Sequence, residues 1–276
     1  MSVGQITHDG QPFANVAPSG IATNVIVPGR TIRNAKLKLG GTALTKAMIS
    51  RILMKANGKP FIDASATQIQ KIMSYRGETA DAAYLDVAFS DIKMNNRLDR
   101  DVGAFDASRG IASITSEVTI AGATAPTLKM ILTEMASQAL ASGEPAPWAG
   151  FLSKLLPYPY NVSTGGRLPI QLPFGKENGA TIKRIHIEHT GNVTGVTMKQ
   201  DGMVIHESLK AENEQEAIRY KCVPQLNLYT IDFVLDGDIS SALNTRDSRS
   251  IELLVDFSAA DVGSVLVEFL DPLGNI

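Results

Sequence analysis

Residues Ile52–Gly77 read ILMKANGKPFIDASATQIQKIMSYRG, and residues Val196–Cys222 read VTMKQDGMVIHESLKAENEQEAIRYKC. Both stretches carry Met-Lys, one further residue and then Asn-Gly or Asp-Gly, with the two glycines 144 positions apart. Asn-Gly and Asp-Gly between apolar segments favour two-residue hairpin turns, because both residues reach positive φ easily. Apolar residues at helical spacing follow each hairpin. The sequence therefore predicts the same hairpin and helix twice.

The similarity extends outward from this repeated stretch. Pro18–Gly29 parallels Ser163–Gly175, and Tyr84–Val87 parallels Tyr229–Phe233 at an offset of 145. A period of this length corresponds to a whole domain rather than to a solenoid repeat. The alternative is chance similarity between two unrelated β regions.

Short alternating segments separated by Gly, Pro, Asn and Asp turns predict a sandwich or barrel in each half of the chain. Thr127–Met135 fits either a helix or a strand by its apolar spacing. Its repeat partner Ser264–Leu270 is rich in β-branched residues, which favours a strand for both. One helix per half, at the same place in the order, suits a jelly roll with a helix in one connection.

Four segments follow from this pattern: an N-terminal arm (residues 1–17), a first jelly roll (18–140), a linker (141–162) and a second jelly roll (163–276). The arm is polar and lacks a core of its own, so we expect it to be free or docked on a neighbour. Prolines in the linker predict irregular structure. Its aromatic residues Trp148, Phe151, Tyr158 and Tyr160 predict that it packs along both domains.

The composition excludes several classes of protein. The net charge is −2 and no run of Lys or Arg occurs, so we expect no direct nucleic-acid binding. The single cysteine, Cys222, cannot form an internal disulfide and is expected to be buried in a protein made in a reducing compartment. No signal-peptide pattern and no membrane-spanning apolar run occur, which predicts a soluble, cytosolically made chain.

No constellation of residues predicts catalysis. The four histidines are His8, His186, His189 and His206. His186 and His189 are three apart on a predicted strand and so face opposite sides, which makes a shared metal unfavourable and surface or loop-facing positions the simpler interpretation. Nucleophile-elbow, phosphate-loop and dinucleotide-binding spacings are absent. We therefore assign no catalytic, cofactor-binding or metal-binding residue.

Two acidic loops are compatible with a structural calcium ion, whose ligands the sequence does not identify. Asp99–Asp106 has alternate acids followed by glycine, but it lacks the third acid and the distal glutamate of an EF-hand. The equivalent loop of the second half contains Asp236, Asp238 and Asp247. The alternative for the first loop is solvated acids paired with Arg97, Arg100 and Arg109.

Three segments of the first half resemble a known family. They are Ile120–Leu128 (IAGATAPTL), the Asn57-Gly58 hairpin, and Tyr75-Arg-Gly77 followed by Tyr84–Val87. They are similar to the major capsid proteins of corticovirus-type phages, tailless icosahedral phages with an internal membrane. The resemblance covers most of the chain and is densest from Val16 to Met135.

The resemblance implies an all-β double jelly roll: two similar eight-stranded β-sandwich domains in tandem, each with one short helix. It also implies a homotrimer that forms pseudo-hexagonal capsomers in an icosahedral virion shell, without enzymatic activity. The implied partners are further copies of the chain, neighbouring capsomers, a vertex protein and viral membrane proteins. The aromatics Trp148, Tyr158 and Tyr160 are then candidate subunit contacts, with a local core role as the equal alternative. The arm is a candidate contact to a neighbouring capsomer or to the membrane side.

Two other functions remain as alternatives. A tandem β-sandwich carbohydrate-binding protein is expected to show a signal peptide and aromatic residues on a sheet face, yet aromatics make up only 6% of the chain. A tandem cupin-like enzyme needs clustered His and Glu on barrel strands, and the histidines are too scattered.

Overall fold

A computed structural model of the chain describes residues 4–78, 81–108, 110–137 and 150–276. The chain divides into two compact units. Unit 1 comprises Met1–Met73, Glu78–Leu155 and Asp271–Ile276, and unit 2 comprises Ser74–Gly77 and Leu156–Leu270. The short segment Ser74–Gly77 therefore belongs to unit 2, although the residues on both sides of it belong to unit 1.

The strands and the two ten-residue helices follow one another in the same order in the two halves of the chain. The first half contains β1 (Ile6–Asp9), β2 (Gly20–Ile26), β3 (Thr31–Ala43), β4 (Ile49–Ala56), β5 (Lys59–Ala64), α1 (Ala66–Tyr75), β6 (Tyr84–Ala88), α2 (Arg97–Asp101), β7 (Phe105–Asp106), β8 (Ile114–Ile120) and β9 (Thr124–Met135). The second half contains β10 (Phe151–Val162), β11 (Gly166–Ile170), α3 (Gly175–Asn178), β12 (Thr181–Glu188), β13 (Val193–Gln200), β14 (Met203–Leu209), α4 (Lys210–Arg219), β15 (Leu228–Asp232), β16 (Leu243–Asn244), β17 (Ile251–Phe257) and β18 (Asp261–Pro272). Single 3₁₀ turns occupy Lys46–Met48, Ile239–Ser241 and Leu273–Asn275.

Each half contributes two runs of four neighbouring strands with matching strand orders. In the first half the orders are β1-β9-β3-β6 and β2-β8-β4-β5; in the second they are β10-β18-β12-β15 and β11-β17-β13-β14. The short strands β7 and β16 pair with β3 and β12, again at matching places. This confirms the predicted all-β architecture of two similar eight-stranded sandwiches, with the short helices α2 and α3 in addition to the one helix expected per half.

The two predicted hairpin turns have the conformation that their sequences favour. Asn57 and Gly58 have φ angles of 49° and 83°, and Asp201 and Gly202 have φ angles of 51° and 82°. Positive φ at both central residues is typical of the type I′ turn, whose twist matches that of the flanking strands.

The repeat continues beyond the turns. The register shifts between Met54 and Lys55 in the first hairpin, and between Met198 and Lys199 in the second. A β-bulge is a local irregularity that increases strand twist. Helices α1 and α4 follow, each ten residues long, and they begin 144 positions apart. The sequence period is thus also a structural period.

Helix α1 begins at a capping box. The hydroxyl of Ser65 accepts a hydrogen bond from the Gln68 amide at 3.2 Å, while the Gln68 side chain accepts one from the Ser65 amide at 2.8 Å. This reciprocal pair satisfies two amides at the helix start. The predicted apolar positions Ile69, Ile72 and Met73 are all buried.

Three phenylalanines lie together in the core of unit 1. Phe61, Phe89 and Phe105 are at most 1% exposed, and their ring centroids lie 5.3 to 6.3 Å apart in tilted or edge-on pairs. Aromatic pairs in these geometries are stabilising beyond the area they bury. Phe105 comes from Ser90–Gly110, a segment whose many Asp, Asn and Arg residues predict a loop; it instead contains α2 and β7.

The arm is docked on unit 1 rather than free. Strand β1 pairs with β9 from Ile6↔Glu134 to Asp9↔Ile131, and Ala14 and Thr23 exchange backbone hydrogen bonds of 2.8 and 3.0 Å. The arm needs no core of its own because the unsatisfied edges of β9 and β2 bind it.

The prediction of irregular structure in the linker is wrong for residues 151–162, which form β10. Pro157 and Pro159 both lie inside this strand. Amides two residues apart in a strand point the same way, so both missing donors fall on one edge and the other edge keeps its donors. Trp148 and residues 141–149 lie outside the described residues.

Gly263 is placed where a side chain does not fit. A Cβ atom there would lie 1.9 Å from the carbonyl oxygen of Glu188 and 2.8 Å from the hydroxyl of Tyr160. We expect Gly263→Ala to lower the free energy of unfolding by about 1–3 kcal/mol, because β18 must move away from its neighbours. Urea denaturation checks this. Gly274→Ala is the matched control, because its Cβ would meet nothing within 4 Å; equal losses in both variants would contradict the prediction.

Candidate functional site

A group of charged residues is buried in unit 2. We call it the charge cluster; it consists of Arg76, Arg184, His186, Asp232 and Glu268. No side chain in it is more than 6% exposed. Arg76 comes from the segment that follows α1, and the other four come from strands β12, β15 and β18.

Glu268 is the centre of the charge cluster. Its Oε1 lies 2.5 Å from Nη2 of Arg76 and 2.9 Å from Nε2 of His186, while its Oε2 lies 3.2 Å from Nη1 of Arg184. Arg184 also donates from Nε to Oδ2 of Asp232 at 2.8 Å. The two guanidinium and two carboxylate groups balance in charge. Buried ions require such compensation, because each loses several kcal/mol of hydration.

The cluster shifts two pKa values. Burial would raise the pKa of Glu268, but the guanidinium groups of Arg76 and Arg184 overcome it and hold that pKa well below its ordinary value of 4.5. Burial lowers the pKa of His186 below its ordinary value of 6.5, although Glu268 opposes the shift. At neutral pH the cluster therefore contains a carboxylate and a neutral imidazole.

These pKa shifts predict loss of stability in acid in two stages. The pKa of His186 is lower in the folded chain than its ordinary value of 6.5 in the unfolded chain. Below pH 6.5 the unfolded state therefore binds a proton more readily than the folded state, and the free energy of unfolding falls as the pH falls. The contribution of Glu268 is present above pH 4.5 and is lost as the pH falls through its folded pKa. Urea denaturation from pH 7.5 down to about pH 2.5 measures both stages. His186→Gln should flatten the first stage; an unchanged profile in this variant would contradict the assignment.

The histidines do not form a site. His186 and His189 are 0% and 3% exposed, so neither is a surface histidine. His186 lies within β12, where the expectation of a surface or loop-facing position is wrong, whereas His189 lies in the loop that follows β12. His186 binds Thr230 and Glu268, whereas Nδ1 of His189 accepts a hydrogen bond from the Gly191 amide.

His8, His206 and Cys222 are not members of the charge cluster. His8 pairs with Glu134 at 3.1 Å, and Nε2 of His206 lies 3.0 Å from the hydroxyl of Tyr229. Cys222 is buried, as expected, and packs beside Tyr75.

In the first acidic loop, the carboxylates of Asp101 and Asp106 interact with other groups of the protein. Asp101 pairs with Nε of Arg33 at 2.8 Å, a partner that the sequence did not suggest. Asp106 accepts hydrogen bonds from the Ser108 amide and the Ser137 hydroxyl, both at 3.1 Å. Of the arginines considered as partners, Arg100 donates from Nε to the Met94 carbonyl.

Arg109, the third arginine considered, lies outside the described residues.

In the second acidic loop, the acids likewise accept hydrogen bonds from their own loop: Asp236 from the Asp238 amide and Asp238 from the Ser240 amide. Among the described residues, no group of three or more His, Cys, Asp or Glu side chains is placed to hold a metal ion. The described structure thus supplies no ligand set for the calcium alternative.

Two of the linker aromatics, Tyr158 and Tyr160, are partly buried and pack against the core of unit 2. The Tyr158 ring packs edge-on against Phe269 at 6.3 Å, and the Tyr160 ring packs against Phe257 at 5.5 Å. The Tyr160 hydroxyl donates to the Glu188 carbonyl and lies 3.1 Å from Oδ1 of Asp261. The core alternative is thus the better interpretation of both tyrosines. Trp148 is not among the described residues.

An open cavity of about 390 Å³ lies in unit 1 beside the arm. Its lining includes His8, Arg30 and Glu134. The carboxylate of Glu134 lies 3.1 Å from His8 and 4.0 Å from Arg30. These three residues of the cavity lining therefore pair with one another. This arrangement indicates attachment of the arm rather than a catalytic centre. No helix in the described ranges is long and apolar enough to cross a membrane.

Apolar side chains are exposed around the end of α4. They are Ile218, Tyr220, Val223 and Leu226, which are 40% to 83% exposed. Exposed apolar groups concentrated in one segment often mark a protein interaction surface.

Two eight-stranded jelly rolls in one chain place it in the class of double jelly-roll viral capsid proteins. The major capsid protein P2 of bacteriophage PM2 superimposes with a TM-score of 0.84 at 17% identity, over 97% of both chains. A capsid chain of Sulfolobus Turreted Icosahedral Virus gives 0.72 at 16% identity, covering 98% of this chain and 92% of that one. A chain of the PBCV-1 capsid gives 0.65 at 9% identity, covering 98% and 94%.

The chain belongs to the viral coat protein P2 family. The family's N-terminal domain matches residues 7–136 and its C-terminal domain matches residues 152–273. A comparison with curated protein sequences finds no match. The protein is thus a viral capsid protein located in the virion, which confirms the resemblance found in the sequence. The carbohydrate-binding alternative receives no support.

Proposed function

We propose that three copies of this chain form a pseudo-hexagonal capsomer, and that capsomers tile an icosahedral shell around an internal membrane. The observation that carries the proposal is the matched strand order of the two sandwiches. Three chains present six similar units, so a three-fold object acquires a near-hexagonal outline that packs with few kinds of contact. A vertex protein and viral membrane proteins are the further partners, and the role of the chain is structural rather than enzymatic.

We also propose revised boundaries for the two jelly rolls. Strand β1 begins at Ile6 and β10 begins at Phe151, 145 positions later, and the two strands occupy equivalent places in their sheets. The first jelly roll then begins at β1 rather than at residue 18, and the second begins at β10 rather than at residue 163. The matched family domains, which begin at residues 7 and 152, support this division.

Analytical ultracentrifugation and negative-stain microscopy of the purified full chain test the proposed assembly. We expect a stable trimer whose particles have a hexagonal outline. A chain that stays monomeric across the micromolar range would contradict the proposal.

For the arm, we propose that the residues before β1 contact a neighbouring capsomer or the membrane side. Deleting residues 2–4 leaves β1 in place and should weaken shell assembly without loss of the trimer. Unchanged shell assembly would contradict a role for these residues.

A further inference from the structure

The outer face of one sheet in unit 2 is buried. Arg184 and His186 of β12, Leu266 and Glu268 of β18, and Thr230 of β15 are all at most 4% exposed. Part of the cover is the last two residues of α1 with the two residues that follow, which we call the α1 end: Ser74, Tyr75, Arg76 and Gly77. Its Tyr75 ring meets His186 edge-on at 6.0 Å, and its Arg76 binds Glu268.

The equivalent face of unit 1 is not covered. The register shifts between Ile32 and Asn34 in β3 and between Ile182 and Arg184 in β12, so these two bulges align the strands. By this alignment Asn34, Lys36 and Lys38 take the places of Arg184, His186 and Glu188. On β9, Ile131 takes the place of Leu266, since it pairs with Lys36 as Leu266 pairs with His186.

We call this surface the open face; its members are Asn34, Lys36, Lys38, Tyr84 and Ile131. Each is partly or fully exposed, and the Lys36 side chain is 38% exposed. Lys36 and Lys38 each place Nζ 5.9 Å from the centroid of the Tyr84 ring. Where unit 2 has a covered surface, unit 1 has the same sheet face open to solvent.

The segment equivalent to the α1 end is also exposed. At the offset of 144, the last residue of α4, Arg219, corresponds to the last residue of α1, Tyr75, and Tyr220 corresponds to Arg76. Tyr75 and Arg76 are 3% and 6% exposed, whereas the Arg219 side chain is 73% exposed and Tyr220 is 40% exposed. We call Ile218, Arg219, Tyr220, Val223 and Leu226 the α4 end.

We propose that the α4 end of one copy of this chain docks on the open face of unit 1 in a second copy. The chain itself supplies the precedent, because the α1 end covers the equivalent face in unit 2. The inference rests on the proposed assembly and names the surfaces that form it.

The two docking surfaces differ, so the contact is heterologous. Every copy offers one α4 end and one open face, and a heterologous contact that closes on itself produces a ring. The docking model therefore accounts for a closed trimer without a self-complementary patch.

Ile218→Asp in the full chain tests the α4 end. A charge buried without a partner at the centre of an interface weakens association strongly. We expect the concentration for half-dissociation of the trimer to rise on the order of 100-fold, measured by analytical ultracentrifugation. Leu98→Asp in α2 is the matched control, because Leu98 is 54% exposed and Ile218 is 53% exposed. It should leave the assembly unchanged.

Ile131→Asp tests the open face, with Lys38→Glu as a second variant in case the first changes the far-ultraviolet circular dichroism.

Mixing Ile218→Asp with Ile131→Asp chains then tests the direction of the contact. One chain keeps its open face and the other keeps its α4 end, so the mixture should form dimers that do not grow into trimers. A self-complementary interface would form no such dimer.

The outcomes separate the two proposals. A wild-type chain that does not associate would overturn the proposed assembly. Wild-type trimers that persist unchanged in Ile218→Asp and in both open-face variants would overturn the docking inference alone. Equal dissociation of the Leu98→Asp control would also overturn it, because the effect would then not depend on the surface.

Discussion

Replacing Glu268 by glutamine is expected to lower the free energy of unfolding by about 3–5 kcal/mol, because it removes a buried carboxylate that faces two buried guanidinium groups. The ion pairs of Glu268 with Arg76 and with Arg184 are lost, whereas the pair between Arg184 and Asp232 remains. Urea denaturation measures the loss. It should be done at one fixed protein concentration, because assembly adds to the apparent stability.

Glu117→Gln is the matched control for this substitution. Glu117 pairs with Lys55 at 2.6 Å, but both side chains are 31% exposed. Ion pairs in contact with solvent contribute about 0–1 kcal/mol, so the control should change little. A loss in Glu268→Gln no larger than in the control would show that the charge cluster is not a structural centre of unit 2.

Phe105→Ala is expected to lower the free energy of unfolding by about 3–5 kcal/mol, since it leaves a cavity among packed rings. Phe105 is 0% exposed and lies between Phe61 and Phe89. Phe105→Leu keeps most of the side-chain volume and should cost less than about 1.5 kcal/mol. Urea denaturation of both variants gives the comparison, and similar losses would indicate that ring packing is not what Phe105 contributes.

The hairpins and helices were predictable because the information for them is local. Asn57-Gly58 and Asp201-Gly202 determine their turns by their own backbone preferences, and Ser65 with Gln68 determines where α1 begins. The repeat added a second line of evidence. It assigned Thr127–Met135 to a strand when its own apolar spacing was ambiguous, and β9 confirms this assignment.

The charge cluster was not predictable from sequence spacing. Arg76 and Glu268 are 192 positions apart, and nothing local distinguishes them from solvated charges. One signal was present: Ser264–Leu270 is almost continuously apolar, which is typical of a strand buried on both faces. A glutamate inside such a strand needs a buried partner, so Glu268 was the residue to single out.

The strand β10 was missed because two prolines and several polar residues outweighed its alternation. The helix and strand within Ser90–Gly110 were missed because each is only two to five residues long. Elements this short are stabilised by the surrounding core, here through Phe105, rather than by their own propensities. In both places tertiary contacts override local preference.

The position of Cys222 makes it a natural reporter of motion in unit 2. It is the single thiol of the chain, it is 7% exposed, and it packs against Tyr75 of the α1 end. A thiol-reactive dye can attack it only after the cover over it has lifted. Labelling rates in the unmodified protein therefore time the spontaneous opening of that cover, and they do so without an engineered probe.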